Sequence, residues 1–600
     1  MRISSNEVIL ILVYYGLLSL LLWGGSFLSY LFFSKGYDYK DIRVNCGRIF
    51  IAAVFIFTVQ IIDGQSVISK LWMWPVVIGI AWIFVIPVLQ YMSYSQNSTD
   101  KAIYIDNSRE IVFGIYGMAL LHIFSTILLI LQLGYVISIC MLYIMFMLFM
   151  VVPIFYVGHY ALYSTTPAEP AIKAIQETYF MEVAEYAKSY FSRGKILLTT
   201  AVLVLISVLF AIDNYIIYEK IGNNDFILLG ETCLLIIGIL IQKNNFRKLL
   251  IYGMYVNIKS RRQKDNEYRI CANNRNIEIN KSEALPAKLP GTVIMIIGES
   301  ASRDYMHVYH NDICYDNTPW LEKMKKSGKV ELFHNVYACY NQTADVLKRA
   351  LTQMSQYNNV KFKDATSVIE MAKAAGYKTY WFSNQGSISC DDSPEALIAS
   401  IADVVYGNGD ARKADYDHAM LKLLENVKVD ENNFIVFHLK GSHGQYKMRY
   451  PEKWAKWSSD NELTAYHNTL LYTDAFLEKL YSVAREKLNL HLMLYFSDHG
   501  DNLKYGHHPD IRTPDTVRIP MFIFESEAYK QLFPEKIAQI EKHKKNYYSN
   551  DMIYNTVIGL LNIDTDRYDA KEDIASSNYS YGKENTLTFL GEIYAAEYDK

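Results

Sequence analysis

The 600-residue chain is 51% hydrophobic and 14% aromatic and carries a formal charge of −3. A charge so close to zero gives no electrostatic case for a nucleic-acid partner. The mean hydropathy of +0.03 averages two unlike parts. Long apolar runs fill residues 1–242, and the rest reads as a soluble domain large enough for its own core.

Seven apolar segments come first, at 8–33, 48–62, 74–94, 111–133, 135–163, 195–212 and 226–242. A spanning helix needs about 20 mostly apolar residues. The segments at 48–62 and 226–242 are short, so five to seven spans are expected for a helical transmembrane domain over 1–242. The first segment is too long for a secretory h-region and lacks a small-residue cleavage site, so it is expected to stay as an anchor. His122 and His159, each alone in an apolar run, read as packing or interfacial residues.

A polar stretch at 165–194 separates the fifth segment from the sixth. Ala171, Ile175, Thr178, Val183 and Tyr186 fall at near-helical spacing, which fits an amphipathic helix lying on the membrane surface or a simple connecting helix. Residues 243–290 read as a juxtamembrane linker. Its first part is basic, with Lys243, Arg247, Lys248, Lys259, Arg261, Arg262 and Lys264, and its polar part at 265–289 includes Pro286. Such basic runs ordinarily mark the cytoplasmic side.

From Gly291 to the end of the chain the pattern alternates between strands and helices. GTVIMIIG is a short apolar run; 319–326 reads as helix, 331–338 as strand and 343–355 as helix. TYWFSN, FIVFHLKGS and LHLMLYFSDHG are apolar runs that each end in polar residues. A long amphipathic helix at 466–488 and a strand at 518–524 complete the set. This predicts an α/β domain over 291–600, with a largely parallel sheet covered by helices. Seven cysteines are scattered without a CxxC pair. Four of them (Cys271, Cys314, Cys339 and Cys390) lie in the soluble part, enough for two disulfides in an oxidising compartment or for unpaired buried thiols.

Open α/β sheets gather functional groups at the carboxyl ends of their strands. Glu299 follows the first strand there, and Thr343 follows the strand at 331–338 and opens a helix. His443 follows FIVFHLKGS, Asp498 and His499 follow LHLMLYFS, and His507 and His508 come just after. Glu299, Asp498 and His499 offer the oxygen and nitrogen ligands that zinc accepts. A dication beside a hydroxyl lowers its pKa, and a helix N-terminus points N–H groups at a phosphate. His443 with His507 or His508 could bind phosphoryl oxygens, protonate a leaving group or hold a second metal. Lys440 and Arg303 are candidates to offset phosphate charge. Alone, Thr343 is more often a helix cap than a nucleophile; its weight comes from the other strand ends.

IIGESASRDYMHVY, ACYNQTADVLKRALT, FHLKGSHGQYKMRYP, YHNTLLYTDAFLEKL and YFSDHGDN occur in an order that resembles the bacterial phosphoethanolamine transferases of the alkaline phosphatase/sulfatase-like superfamily. The resemblance spans roughly 291–562. It implies that Glu299, Thr343, Asp498 and His499 are zinc ligands, one zinc being expected and a second possible. It makes Thr343 the nucleophile that takes up phosphoethanolamine, places His443 near the donor headgroup, and matches either His507 or His508 to the last histidine. AIQETYFMEVAEY is similar to the family's interfacial segment, with Thr178 and Glu182 as substrate-binding residues. Phosphatidylethanolamine is the implied donor. A cell-envelope glycolipid or glycan, such as lipid A or the lipopolysaccharide core, is the implied acceptor. The implied setting is a monomeric, multi-pass protein of the bacterial inner membrane with its catalytic domain in the periplasm.

Three departures stand out. Lys348 and Arg349 occupy positions where many members carry proline and cysteine. The apolar segments number up to seven, where better-known members have five. The basic residues at 243–264, with Lys35, Lys40 and Arg43, sit awkwardly with a periplasmic domain by charge counting, although basic residues bind anionic lipid from either side. The alternatives are a phosphoglycerol transferase or phosphodiesterase of the same superfamily, or a catalytically silent membrane sensor. A sulfatase is disfavoured because ACYNQTADV lacks the C/S-x-P-x-R pattern.

Overall fold

The computed structural model describes residues 5–34, 39–63, 73–97, 106–131, 134–163, 165–167, 172, 208–209, 212, 225–385, 393–407, 416–507, 509 and 511–599. Thr178, Glu182, His508 and Cys390 lie outside the described residues, as do nearly all of 165–194 and of the apolar segment at 195–212. The described residues divide into two compact units, one up to Ile258 and one from Lys259 onward.

In the first unit, six helices among the described residues are long and apolar enough to cross a membrane. They run Val13–Phe33, Asp41–Ile62, Trp74–Ser93, Ser108–Leu128, Tyr135–Ala161 and Phe226–Phe246. The chain is thus a multi-pass membrane protein. The segment expected to be short, 48–62, is part of a helix over Tyr39–Asp63. Its first turns carry Asp41, Arg43, Asn45 and Arg48, which hide the span from a hydropathy count. Arg48 donates to Asn45 Oδ1 at 2.6 Å, so the polar start satisfies itself. The helix Ser108–Ile130 is the hub: 94% of its apolar window is buried, against 22% for Tyr135–Ala161. Close packing there requires a residue without a side chain at Gly114, where a Cβ would fall 2.4 Å from Trp82 Cβ.

The second unit is built on a seven-stranded sheet. Its strands are β1 (Thr292–Gly298), β2 (Glu331–Phe333), β4 (Lys378–Ser383), β5 (Val404–Gly407), β6 (Asn433–His438), β7 (Leu490–Ser497) and β8 (Met521–Glu525), in the order β2-β8-β7-β1-β6-β4-β5. β7, β1, β6, β4 and β5 run parallel; β8 is antiparallel to both β7 and β2. β1, β6 and β7 are buried along their whole length. Continuous apolar runs, rather than alternation, are the signature of strands covered on both faces. Val293, Met295 and Ile297 enter one core while Ile294 and Ile296 enter the other.

The stretch 331–338 is not one strand. It breaks at His334 into β2 and β3 (Asn335–Tyr337), and β3 pairs in parallel with β9 (Tyr547–Ser549) in a separate small sheet. The helix expected over 343–355 is shorter, Thr343–Ala350. The segment expected as a linker is largely helical: Asp225–Phe246 runs into it, and Leu250–Asn274 follows. Tyr268 and Ala272 of that helix are buried in the core of the second unit, so tertiary packing holds a sequence whose polarity suggested a tether. Cys271, Cys314 and Cys339 are free thiols; no disulfide forms among the described residues.

Candidate active site

The parallel register decides which residues meet. Gly298 of β1 pairs with Ser497 of β7, and Ile297 pairs with His438 of β6. The residues that follow these strands therefore emerge side by side. Glu299 comes from β1, Gln385 from β4, Lys440–His443 from β6, and Asp498 and His499 from β7. Two backbone features make the turn after β1 tight. Ser300 takes a left-handed φ of 56°, a strained conformation of the sort that clusters at functional sites. Tyr466 bridges the turn, donating to the Ser300 carbonyl and accepting from the Ser302 N–H, both at 2.8 Å. Gly500 packs so closely that a Cβ would lie 2.0 Å from the Asp515 carbonyl oxygen.

Glu299, Asp498 and His499 are essentially inaccessible, and their ligand atoms all lie within 4.8 Å of one another. His499 Nε2 is 3.3 Å from Asp498 Oδ2 and 3.5 Å from Glu299 Oε1. Thr343 Oγ1, at the first position of its helix, is 3.2 Å from His499 Nε2 and 3.3 Å from Glu299 Oε2. The backbone fixes the orientations. Asp498 Oδ1 accepts the N–H groups of Ser300 at 3.1 Å and His499 at 2.7 Å, leaving Oδ2 without a hydrogen-bond donor. His499 Nδ1 lies 2.8 Å from the Gly500 carbonyl. A carbonyl only accepts, so Nδ1 carries the proton and the Nε2 lone pair faces the carboxylates.

This arrangement is electrostatically unfinished. Burial, and then the neighbouring Asp498, push the Glu299 carboxyl up to about 7. Burial also raises Asp498. Burial, and then His507, push His499 down to about 4. Leaving buried charges uncompensated costs several kcal/mol per ion. Two carboxylates, one bare imidazole lone pair and an orphaned Asp498 oxygen are the donor set that a dication satisfies. The residues therefore fit a metal.

Around this centre stand two more histidines. The His507 ring is 4.4 Å from the His499 ring and 5.8 Å from that of His443, centroid to centroid. Burial disfavours charge on His507, but Asp501 at 3.3 Å from Nδ1, with Glu299 and Asp498, overrides it and raises the imidazole to about 9. Burial, and then Lys440 and Arg449, hold His443 far below the usual histidine range. One histidine is thus cationic at neutral pH and the other neutral. Gln342, the residue before Thr343, donates to the His507 carbonyl and ties the two segments together.

The structure brings together Glu299, Thr343, His443, Asp498, His499 and His507, and places Lys440 within electrostatic reach of His443. It does not bring in Arg303. That side chain is buried, donates to the Val336 carbonyl and lies 4.8 Å from the Tyr337 ring centroid. Its short helical turn, Arg303–Tyr305, aims it into the core.

Four residues escaped the sequence reading. Gln385 donates to Glu299 Oε2 at 3.1 Å and to the Leu439 carbonyl at 2.7 Å. Asn550 donates to the Asp498 carbonyl at 2.7 Å and accepts the Cys339 N–H at 2.9 Å. Asp417 accepts the N–H groups of Lys440 and Gly441 at 2.9 and 3.0 Å and the Asn384 amide at 2.8 Å. Asp501 is the His507 partner. Gln385 and Asp501, which lie just past apolar strands, carried the signal used for Glu299 and His499; Asp417 and Asn550 had none.

The chain is similar to several known proteins. A family model described as Sulfatase matches residues 291–563. Phosphoethanolamine transferase EptC of Escherichia coli K12 is 25% identical over 498 residues, covering 73% of this chain and 82% of its own. Phosphoethanolamine transferase OpgE of the same strain is 32% identical over 250 residues, covering 39% of this chain and 46% of its own. The integral membrane protein lipooligosaccharide phosphoethanolamine transferase A of Neisseria meningitidis aligns with a TM-score of 0.54 at 17% identity. That match covers 84% of this chain and 98% of the other, and shares the fold.

Proposed function

Because the chain belongs, with these relatives, to the sulfatase-fold phosphoethanolamine transferases, we propose that it moves phosphoethanolamine from phosphatidylethanolamine to a cell-envelope glycolipid or glycan through a covalent intermediate on Thr343. The observation that carries this reading is the Thr343 hydroxyl, 3.2–3.3 Å from two members of a buried Glu299–Asp498–His499 set, at the start of a helix.

In the first step Thr343 Oγ attacks the donor phosphorus. Its proton leaves toward Glu299 Oε2, the carboxylate oxygen it faces. The bond between phosphorus and the diacylglycerol oxygen breaks, and the cationic His507 protonates that leaving oxygen. In the second step an acceptor hydroxyl attacks phospho-Thr343 and passes its proton to the now neutral His507, whereas an ionised acceptor phosphate attacks directly and His507 is reprotonated from water; the P–Oγ bond breaks and Glu299 returns its proton to Thr343 Oγ. The first N–H groups of the helix Thr343–Ala350 face the phosphoryl oxygens. Neutral His443 donates a hydrogen bond there, and Lys440 adds positive charge. Zinc is the metal that Glu299, Asp498 and His499, with Thr343, would hold; when bound it lowers the pKa of the hydroxyl and offsets the charge of the transferring group. A second ion near His443 and His507 is a further expectation.

The membrane helices keep the enzyme where both lipid substrates reside. We assign the catalytic domain to the periplasmic side of a bacterial inner membrane, the acceptor contacts to the segment around Thr178 and Glu182, and the active form to the monomer. Purified protein given vesicles of phosphatidylethanolamine or phosphatidylglycerol tests the donor. Diacylglycerol release from the former alone, lost on chelation and restored by zinc, is expected; release from phosphatidylglycerol alone would reassign the enzyme as a phosphoglycerol transferase.

A further inference from the structure

The helix Thr343–Ala350 has eight residues, about 12 Å at 1.5 Å per residue. Thr343 sits at one end, in the active site. The other end is gripped by the helix Leu250–Asn274, which follows the last membrane-capable helix in sequence. Lys348 Nζ forms an ion pair with Asp265 Oδ1, both side chains only 16% exposed. The same ammonium lies 4.7 Å from the centroid of the Phe362 ring. Phe362 stacks on Tyr268, one helical turn after Asp265, with centroids 4.3 Å apart and planes 9° from parallel.

The grip is reinforced on the same side. Tyr268 is fully buried and donates to Glu370 Oε2 at 2.8 Å. Arg275 pairs with the other oxygen of Glu370 and donates to the Lys363 carbonyl at 2.8 Å. Lys363 in turn pairs with Glu267 at 3.0 Å. Exposed ion pairs contribute little to stability. This one is shielded by two stacked rings, and it bears on the one short helix that ends in the nucleophile.

We infer that Asp265 is a positioning residue for Thr343: through Lys348 it fixes the axial placement of the nucleophile helix, so that the juxtamembrane helix sets the hydroxyl against Glu299 and His499. The inference rests on the proposed role of Thr343. Misplacing a reacting atom by about 1 Å costs on the order of a hundredfold in rate, and loosening one end of a short helix is a fraction of that.

The test uses the full chain in lipid nanodiscs, with Asp265→Asn and Asp265→Glu. Two readouts are taken: amide hydrogen exchange across 343–350, and the rate at which phosphatidylethanolamine modifies Thr343. Asp265→Asn should speed exchange in that helix and slow modification about tenfold, with the donor KM unchanged. Asp265→Glu, which keeps the charge, should restore both to within about threefold. Lys348→Met should reproduce the Asn variant. Unchanged exchange, or faster exchange with an unchanged modification rate, would overturn the inference. A wild-type chain that never becomes modified would instead overturn the role of Thr343, while a fast-exchanging Asp265→Asn helix would still support the grip.

Discussion

Among the described residues, two groups of histidine and carboxylate side chains in the second unit bring ligand atoms within 4.8 Å of one another: Glu299, Asp498 and His499, and His307, Asp316 and Glu322. By distance alone they are equivalent. They differ in surroundings. The first is buried at the carboxyl ends of β1 and β7, and its Asp498 Oδ2 has no donor. The second lies at the surface, where Asp316 is 56% exposed and pairs with Lys456 at 3.6 Å. There His307 pairs with Glu322, and Lys326 reaches Glu322 at 3.3 Å. Surface carboxylates with lysines and water at hand have little to gain from a metal; buried ones without a counter-charge do. The first group also faces the Thr343 hydroxyl at the start of a helix. A metal site is thus distinguished by what its ligands lack as much as by how close they are.

The largest expected effect comes from removing that unmet demand. Glu299→Gln or Asp498→Asn should drop bound zinc below one equivalent and transfer by about a thousandfold or more, measured by metal analysis beside a turnover assay. Retention of both metal and turnover would erase the distinction between the groups. Next, His443→Ala should leave the ion held by Glu299, Asp498 and His499 in place and slow transfer by about a hundredfold, because that side chain borders this centre without completing it. The third result sharpens the contrast from the other side. His307→Ala with Glu322→Gln should change neither metal content nor turnover by more than about twofold.

How far the sequence carried this distinction can be traced residue by residue. Glu299, Asp498 and His499 were legible because apolar strands stop abruptly at them, and a parallel sheet lines up those stops. Arg303, five residues past the end of β1, was misassigned: closeness in sequence does not say which way a side chain turns, and its helical turn sends it toward Val336 and Tyr337. Asp417 and Asn550 were invisible because they bond to backbone groups 23 and 52 residues away. The helix Leu250–Asn274 was read as a linker because its charged residues outweigh the few, such as Tyr268, that are buried. The fold class needed only the apolar period, whereas the supporting network needed the tertiary contacts.

The smallest effect concerns a buried carboxylate outside both groups. Glu525, at the end of β8, is 2% exposed, and burial pushes its carboxyl up to about 8. Its folded pKa lies above its unfolded value, so the folded state binds the extra proton. The stability this contributes is fully present below about pH 4.5 and is lost as pH rises through about 8. Glu525→Gln should therefore stabilise the protein by on the order of 2 kcal/mol at pH 9 and hardly at all at pH 4.5, read as thermal unfolding midpoints. An equal effect at both pH values would show that burial, which here outweighs the nearby Lys530, is not what sets this carboxylate apart.

The central claim is that Thr343 takes up the transferred group because the buried set prepares it. Peptide mass analysis after exposure of the intact protein to phosphatidylethanolamine vesicles tests this most directly. One phosphoethanolamine is expected on the peptide carrying Thr343 in the wild-type chain and none in Thr343→Ala or Asp498→Asn. An adduct that persists in Thr343→Ala, or that maps to another residue, would contradict it.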